Sequence, residues 1–115
     1  MDKKELKGRT KEYALRIIKL VDALPKTTAG RAIGNQLIRS GTSVGANYRA
    51  SLRARSKAEF IAKLGVVVEE ADESAFWLEI IIESNLFKKT LVEPLLKETN
   101  ELTAIFYVTR KSSKS

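Results

Sequence analysis

The chain has 115 residues, 43% of them hydrophobic, which suits a single domain over residues 1–115 and leaves no room for a second. It holds 21 Lys and Arg against 14 Asp and Glu, and the resulting net charge of +7 favours polyanions or acidic partners. It has no Cys and no His, which excludes disulfides, thiolate chemistry and the commonest metal ligand and general base. We therefore predict no enzymatic activity, no metal site and no cofactor.

The first predicted helix covers residues 3–24. Its apolar stripe recurs every three or four positions, at Tyr13, Ile17, Leu20 and Leu24. Pro25 ends this helix, because proline disfavours helical geometry in the residue before it.

The second predicted helix covers residues 28–54, and a hydroxyl of Thr27 or Thr28 caps its start. Its apolar seam is Ile33, Leu37, Gly41, Val44, Tyr48 and Leu52. Gly41 and Gly45 lie among other small residues in mid-helix, where each Gly costs about 1 kcal/mol relative to Ala. We infer that another helix approaches closely at this point.

The third and fourth predicted helices cover residues 57–85 and 91–110. Ser56 and Glu59 have capping-box spacing, so the chain restarts a helix after a break near Arg55. Proline is tolerated in the first turn, so Pro94 sets the last helix to begin between Lys89 and Pro94. The polar tail, residues 111–115, is expected to be frayed. Short connections between four long helices predict an all-α, up-down-up-down antiparallel four-helix bundle.

The third helix is apolar on more than one side near its end. Its main stripe leaves Phe76, Trp77, Ile80 and Ile81 spread beyond one face. A small bundle has only one core, so these four residues predict a subunit interface in a homo-oligomer. The alternative is that Phe76 and Trp77 complete the core of the single chain.

A set of polar residues lies beside the predicted seam. Arg39, Ser43 and Asn47 are four positions apart on the second helix and share one face. An antiparallel hairpin would bring them near Glu70, Glu73 and Ser74 of the third helix. We interpret the set as a buried polar network that fixes helix register, so that Arg39→Ala is strongly destabilising. Binding of a ligand is the alternative.

Basic residues form two groups. The first, at the junction of the second and third helices, is Arg49, Arg53, Arg55 and Lys57; the second is Arg16 and Lys19 with the N-terminal Lys3, Lys4, Lys7, Arg9 and Lys11. Both groups are candidates for phosphate contacts to nucleic acid, which give affinity without sequence readout. The alternative is an ordinary solvated face, partly neutralised by acids of a neighbouring subunit.

Three segments of the sequence resemble a known family. They are residues 36–47 (QLIRSGTSVGAN), 56–64 (SKAEFIAKL) and 70–79 (EADESAFWLE). They are similar to the four-helix-bundle family of 23S rRNA-intervening-sequence proteins, which are bacterial and related to the accessory variability determinant of diversity-generating retroelements. The resemblance implies a homopentamer without catalytic activity, and a basic surface that engages nucleic acid or a reverse transcriptase.

These observations together predict a non-enzymatic helical bundle that binds RNA or a ribonucleoprotein through basic surface. A protein–protein interaction scaffold, or an accessory subunit that does not itself bind nucleic acid, is the alternative. The first residues contain no targeting signal, and no apolar run, Ile80 to Ile82 included, is long enough to span a membrane, so we expect a cytoplasmic protein with no membrane partner and no small-molecule substrate.

Overall fold

A computed structural model describes residues 1–115 and contains four α-helices and no strand. The helices are α1 (Lys3–Ala23), α2 (Thr28–Ser51), α3 (Lys57–Glu83) and α4 (Lys89–Ser113). The predicted all-α class with four helices is confirmed. The molecule measures 44 × 21 × 20 Å, and helices of this length span about 30 to 40 Å, so all four lie along one rod axis. None of them combines the length and apolar content that crossing a bilayer requires.

The helices pack in chain order. α2 packs against α1 and α3, α3 packs also against α4, and a smaller contact between α1 and α4 closes the bundle. Gly41 of α2 lies against Ile17 of α1, whereas the later Gly45 lies against the earlier Thr10. α1 and α2 therefore run antiparallel, an arrangement that fits the predicted up-down order.

Side-chain caps fix the starts of the first three helices. The Asp2 carboxylate accepts the Glu5 amide at 2.8 Å, the Thr27 hydroxyl accepts the Gly30 amide at 3.1 Å, and the Ser56 hydroxyl accepts the Glu59 amide at 3.0 Å. Each bond satisfies one of the free amides that every helix start presents. The caps predicted at Thr27 and Ser56 are thus confirmed.

Two helices end earlier than the sequence pattern suggests. α2 stops at Ser51 rather than at residue 54, because the amides of Arg53 and Ala54 bond carbonyls only three residues back, in turn geometry. α3 stops at Glu83 rather than at residue 85. Asn85 has a φ of 57°, a left-handed conformation that Asn tolerates better than most residues, and this turns the chain towards α4.

The last helix begins at the early limit of its predicted start and extends beyond its predicted end. α4 begins at Lys89, within the predicted range of Lys89 to Pro94, so Pro94 lies in its second turn instead of its first and one backbone hydrogen bond is lost there. It continues to Ser113 instead of fraying after residue 110. The Ser113 hydroxyl bonds the Thr109 carbonyl at 2.8 Å, which helps a polar segment to remain helical.

The core follows the predicted stripes with one consequential difference. Tyr13, Ile17, Leu37 and Leu78 are fully or almost fully buried, as their spacing indicates. On α3, however, the buried face continues through Ile81, which has no exposed surface, while Ile82 is only partly buried. Ile81 follows Leu78 by three positions and therefore stays on the core side of α3.

Glycines allow α1 and α2 to approach closely. A Cβ added at Gly41 would lie 2.8 Å from the Ile17 side chain, and one added at Gly45 would lie 3.1 Å from the Thr10 hydroxyl. Thr10 is fully buried, and its hydroxyl bonds the Leu6 carbonyl at 2.9 Å. The close helix approach predicted from the small residues is confirmed, with α1 as the partner.

Candidate nucleic-acid interface

The fold brings four distant chain segments to one end of the rod. Lys7, Lys11 and Arg49 line one groove between the start of α1 and the end of α2. The Lys57 ammonium donates to the Ser115 carbonyl at 3.4 Å, which joins the start of α3 to the end of α4. Antiparallel packing therefore places both chain ends and the α2–α3 turn together.

Charge is distributed very unevenly along the rod. We define the basic half as residues 1–13, 41–69 and 102–115, and the opposite half as residues 14–40 and 70–101. The basic half carries 13 Lys and Arg against 5 Asp and Glu, a net charge of +8. The opposite half carries 8 against 9, a net charge of −1. The whole excess charge of the protein thus lies in one half.

The four basic residues predicted at the α2–α3 junction all lie in the basic half. Arg49, Arg53 and Lys57 are exposed and form no ion pair. Arg55 is 92% exposed, and its Nε lies 3.7 Å from the Glu59 carboxylate, which neutralises it only weakly. Arg49 and Arg53 are therefore free to meet an anionic partner, whereas Lys57 donates to the Ser115 carbonyl and Arg55 is weakly paired.

The second predicted group is divided by the structure. Lys3, Lys4, Lys7 and Lys11 join the basic half, whereas Arg16 and Lys19 lie in the opposite half. Arg16 is half-buried, and after Arg9 it is the second cation that lowers the pKa of Glu98. The structure therefore does not bring Arg16 and Lys19 together with the other candidate contacts.

Sequence reasoning missed the cations at the end of α4 and one on α3. Arg110, Lys111 and Lys114 follow the predicted end of the last helix, and Lys63 belongs to the acidic third helix. Arg110, Lys111 and Lys114 lie in the basic half only because antiparallel packing returns α4 to the start of α1, whereas Lys63 lies there because it is near the start of α3. Adding the charges of the segments that share one end of the predicted bundle would have found them.

Arg9 belongs to the basic half but is bound within the fold. Its Nε and Nη2 donate to the two Glu98 oxygens at 2.8 and 2.6 Å, and Nη2 also contacts Glu101 at 3.1 Å. These bonds join α1 to α4. Hydrogen bonding to Arg9 holds the pKa of Glu98 below its usual range, although partial burial opposes this.

The predicted polar network is only partly formed, and it is not buried. Arg39 donates to Glu70 at 3.0 Å and to Glu73, and the Trp77 indole donates to Glu73 at 3.2 Å. Arg39 lowers the pKa of Glu73. The Arg39 side chain is 50% exposed, so the expectation of a buried ion pair was wrong.

Ser43 and Asn47 form no hydrogen bond with another helix. The Ser43 hydroxyl donates to the Arg39 carbonyl at 2.6 Å, and the Asn47 amide donates to the Ser43 carbonyl at 2.8 Å. Short polar side chains in a helix readily bond the preceding turn in this way. The side chains of both residues therefore find their hydrogen-bond acceptors within α2.

A buried polar layer, formed by Tyr13, Ser40, Ser74 and Thr99, crosses the bundle where the two halves meet. Each helix contributes one residue: Ser74 donates to Ser40 at 2.9 Å, and the Tyr13 and Thr99 hydroxyls are 2.6 Å apart. Burial raises the pKa of Tyr13 to about 12, although hydrogen bonds from Thr99 and Ser74 oppose the shift. Of these four residues, sequence reasoning had singled out only Ser74 as a polar contact.

The four residues predicted to form a subunit interface differ in their exposure. Phe76 is 51% exposed and meets Trp77 edge-on, with ring centroids 5.0 Å apart. Trp77 and Ile80 are half-buried, and Trp77 packs against the core. Ile81 is fully buried within the single chain, so its assignment to a subunit interface was wrong.

Comparisons with known proteins are consistent with this architecture. A family model described as 23S rRNA-intervening sequence protein matches residues 3–107. A crystal structure of a protein of unknown function from the S23 ribosomal protein family of Bacteroides thetaiotaomicron VPI-5482 is 32% identical, with a TM-score of 0.86. The match covers 92% of this chain and 98% of that one. No curated protein gave a match.

Proposed function

Because the chain belongs to the 23S rRNA-intervening sequence protein family, we propose that it is a non-enzymatic, homo-oligomeric helical bundle that binds RNA or a ribonucleoprotein through its basic half. The observation that carries the proposal is the charge of +8 on one half of the rod against −1 on the other. A chain without His and Cys also lacks the usual means of acid–base and thiolate catalysis.

The free cations of the basic half suit phosphate contacts. Lys and Arg side chains that neutralise phosphates release condensed counterions, and this release provides affinity that does not depend on base sequence. Arg49 and Arg53 are exposed and unpaired, so binding RNA would cost no ion pair within the protein. The proposed binding is therefore electrostatic and sensitive to salt.

Two arginines on one helix provide a matched test of the proposal. Arg31 and Arg49 are both exposed on α2 and are separated by 18 residues, which is five helical turns. They therefore share one face of α2 but lie in different halves. We expect Arg49→Gln to weaken binding of a labelled oligouridylate and to reduce the slope of log K against log salt by about 0.7, the value for one single-strand phosphate contact. Arg31→Gln should leave both unchanged.

The measurement is fluorescence anisotropy over a range of salt concentrations. Equal effects of Arg49→Gln and Arg31→Gln would show that the basic half is not the binding surface. The absence of any oligouridylate binding by the parent at low salt would discard RNA binding itself.

We propose a homopentamer as the assembled state. The support is the apolar side chain of Phe76, which is half exposed beside Trp77 on the outside of the bundle, together with the family resemblance. Native mass spectrometry should show the pentamer for the parent and a smaller species for Phe76→Ser. Leu91→Ser, which changes a side chain that is 60% exposed on α4, is the control and should leave the assembly intact.

A second candidate function is a protein interaction scaffold, or an accessory subunit such as one serving a reverse transcriptase. The same exposed Phe76 favours it, because this apolar side chain lies in the opposite half, away from the free cations of the basic half. Co-purification of a protein partner that survives nuclease treatment and is lost in Phe76→Ser would favour this function over RNA binding.

A further inference from the structure

A groove between α3 and α4 lies within the basic half. It is lined by Gly65 and Glu69 of α3, by Tyr107, Arg110 and Lys111 of α4 and by Lys114 directly after α4, and its volume is about 310 Å³. This volume is at the lower end of the range of small-ligand pockets. It is large enough to receive one flat ring beside a charged group.

Arg110 is held in place at the wall of this groove. Its Nε donates to the Ile61 carbonyl at 3.1 Å. A Cβ added at Gly65 would lie 3.0 Å from that Nε and 3.3 Å from Cζ, so the guanidinium lies directly on the bare backbone of α3. The Nη groups of Arg110 form no hydrogen bond with the protein, and their donors remain available to an anion.

The charge of the groove favours a phosphate. Arg110, Lys111 and Lys114 supply three cations against the single carboxylate of Glu69, which forms no ion pair with any of them. Anion binding would therefore not compete with an ion pair inside the groove.

Tyr107 adds an aromatic surface to this basic groove. Its side chain is 58% exposed and forms no hydrogen bond within the protein. Arg110, Lys111 and Lys114 follow it by three, four and seven positions, so all four residues share one face of α4. A free aromatic ring next to phosphate-binding cations is the combination with which proteins hold unpaired bases.

We propose that the α3–α4 groove binds one nucleotide unit of single-stranded RNA, with a phosphate at Arg110 and Lys114 and the base stacked on Tyr107. This inference rests on the proposed function and deepens it, because it specifies single strands over duplexes. A base in a duplex is already stacked and paired and does not present its face to Tyr107.

The test compares two probes that carry the same number of phosphates. One is a labelled oligouridylate, and the other is an oligomer of abasic sites of equal length. We expect the parent to bind oligouridylate at least about fivefold more tightly, since stacking of even one base has this effect. Tyr107→Leu should remove the preference while leaving affinity for the abasic oligomer unchanged.

A charge variant tests the phosphate contact in the same groove. Lys114→Gln should weaken binding of both probes and reduce the salt slope by about 0.7. Lys97→Gln is the matched control, because Lys97 is also exposed on α4 but lies in the opposite half. It should leave both quantities at their parent values.

The outcomes separate this inference from the proposed function. Equal parent affinity for the two probes, or an unchanged preference in Tyr107→Leu, would overturn stacking in the groove while RNA binding by the basic half stands. If the parent binds neither probe at low salt, both proposals fail. Thermal melts confirm that Tyr107→Leu remains folded, as expected for an exposed side chain.

Discussion

The two halves of the rod are built from the same four helices but use their charges differently. In the opposite half, Arg39 is paired with Glu70 and Glu73, and the numbers of cations and acids nearly match. In the basic half only Arg9 and Arg55 form ion pairs, and most of its 13 cations remain free. Acids thus balance the cations in one half, whereas the other half carries an excess of cations that is available to a partner.

The buried polar layer lies where the two halves meet. Tyr13 with Thr99 and Ser40 with Ser74 form its two hydrogen-bonded pairs. Sliding α1 along α4 would leave the Tyr13 hydroxyl buried without a partner, which costs about 1–3 kcal/mol. Ser40, Ser74 and Thr99 would keep hydrogen bonds to carbonyls of their own helices. The layer therefore favours the one register of α1 against α4, which places the start of α1 beside the end of α4.

The largest expected effect is the loss of unfolding free energy when the buried Tyr13 of the polar layer ionises at alkaline pH. Burial raises the pKa of Tyr13 from its ordinary value of 10.0 to about 12 in the fold. A raised folded pKa contributes stability that is present below pH 10 and lost as pH rises through 12, because the unfolded chain releases the proton first. Between these limits the parent should lose about 3 kcal/mol of unfolding free energy that Tyr13→Phe does not lose.

Urea unfolding at several pH values between about 9 and 12 measures this difference. Tyr107→Phe is the control, because it removes the hydroxyl of an exposed tyrosine that forms no hydrogen bond within the protein. Parallel pH profiles for the parent and Tyr13→Phe would show that the polar layer is open to water.

Helical periodicity was sufficient to predict the four helices and most of the core. Spacings of three and four identify the buried face of α1, where Tyr13, Ile17 and Leu20 are all buried. The pattern is less decisive on α3, where apolar residues surround the end of the helix. There Ile81 belongs to the core and Phe76 is exposed, and only the direction in which α3 faces its neighbours decides between them.

The candidate site was less predictable than the fold. Arg49 and Arg53 were found because they lie close together in sequence, whereas Arg110 and Lys114 reach the same end of the rod only through packing. The polar layer was missed for a related reason. Ser40 and Thr99 look like ordinary helix residues until the register places each opposite a hydroxyl of another helix.

A smaller effect should distinguish paired from free cations within the basic half. Arg9 and Lys11 are close together on α1, but only Arg9 binds Glu98. Arg9→Met leaves a half-buried carboxylate without its partner and should lower the unfolding free energy by about 1–2 kcal/mol at neutral pH. Lys11→Met should stay within about 0.5 kcal/mol of the parent. Urea denaturation measures the unfolding free energy of both variants. Equal losses in Arg9→Met and Lys11→Met would contradict the distinction between paired and free cations.

The pH dependence of the Arg9 variant supplies a second check. The folded pKa of Glu98 is lowered, chiefly by hydrogen bonding to Arg9. A lowered folded pKa contributes stability that is present above the unfolded pKa of about 4.3 and lost as pH falls through the folded value. The difference between the parent and Arg9→Met should therefore close in acid. A difference that persists at low pH would point to lost packing of the Arg9 side chain instead.

The smallest expected effect is that of Arg39→Ala in the opposite half. Its ion pairs with Glu70 and Glu73 are exposed to solvent, where water and salt screen the attraction. We expect a small decrease in the urea midpoint that disappears at high salt, and also in acid, because Arg39 holds the pKa of Glu73 low. Arg31→Ala on the same helix, which removes an unpaired cation, should cause no decrease. A large, salt-independent loss in Arg39→Ala would show that this pair is shielded from solvent in the assembled protein, and the opposite half would then contain a subunit contact at α2 and α3.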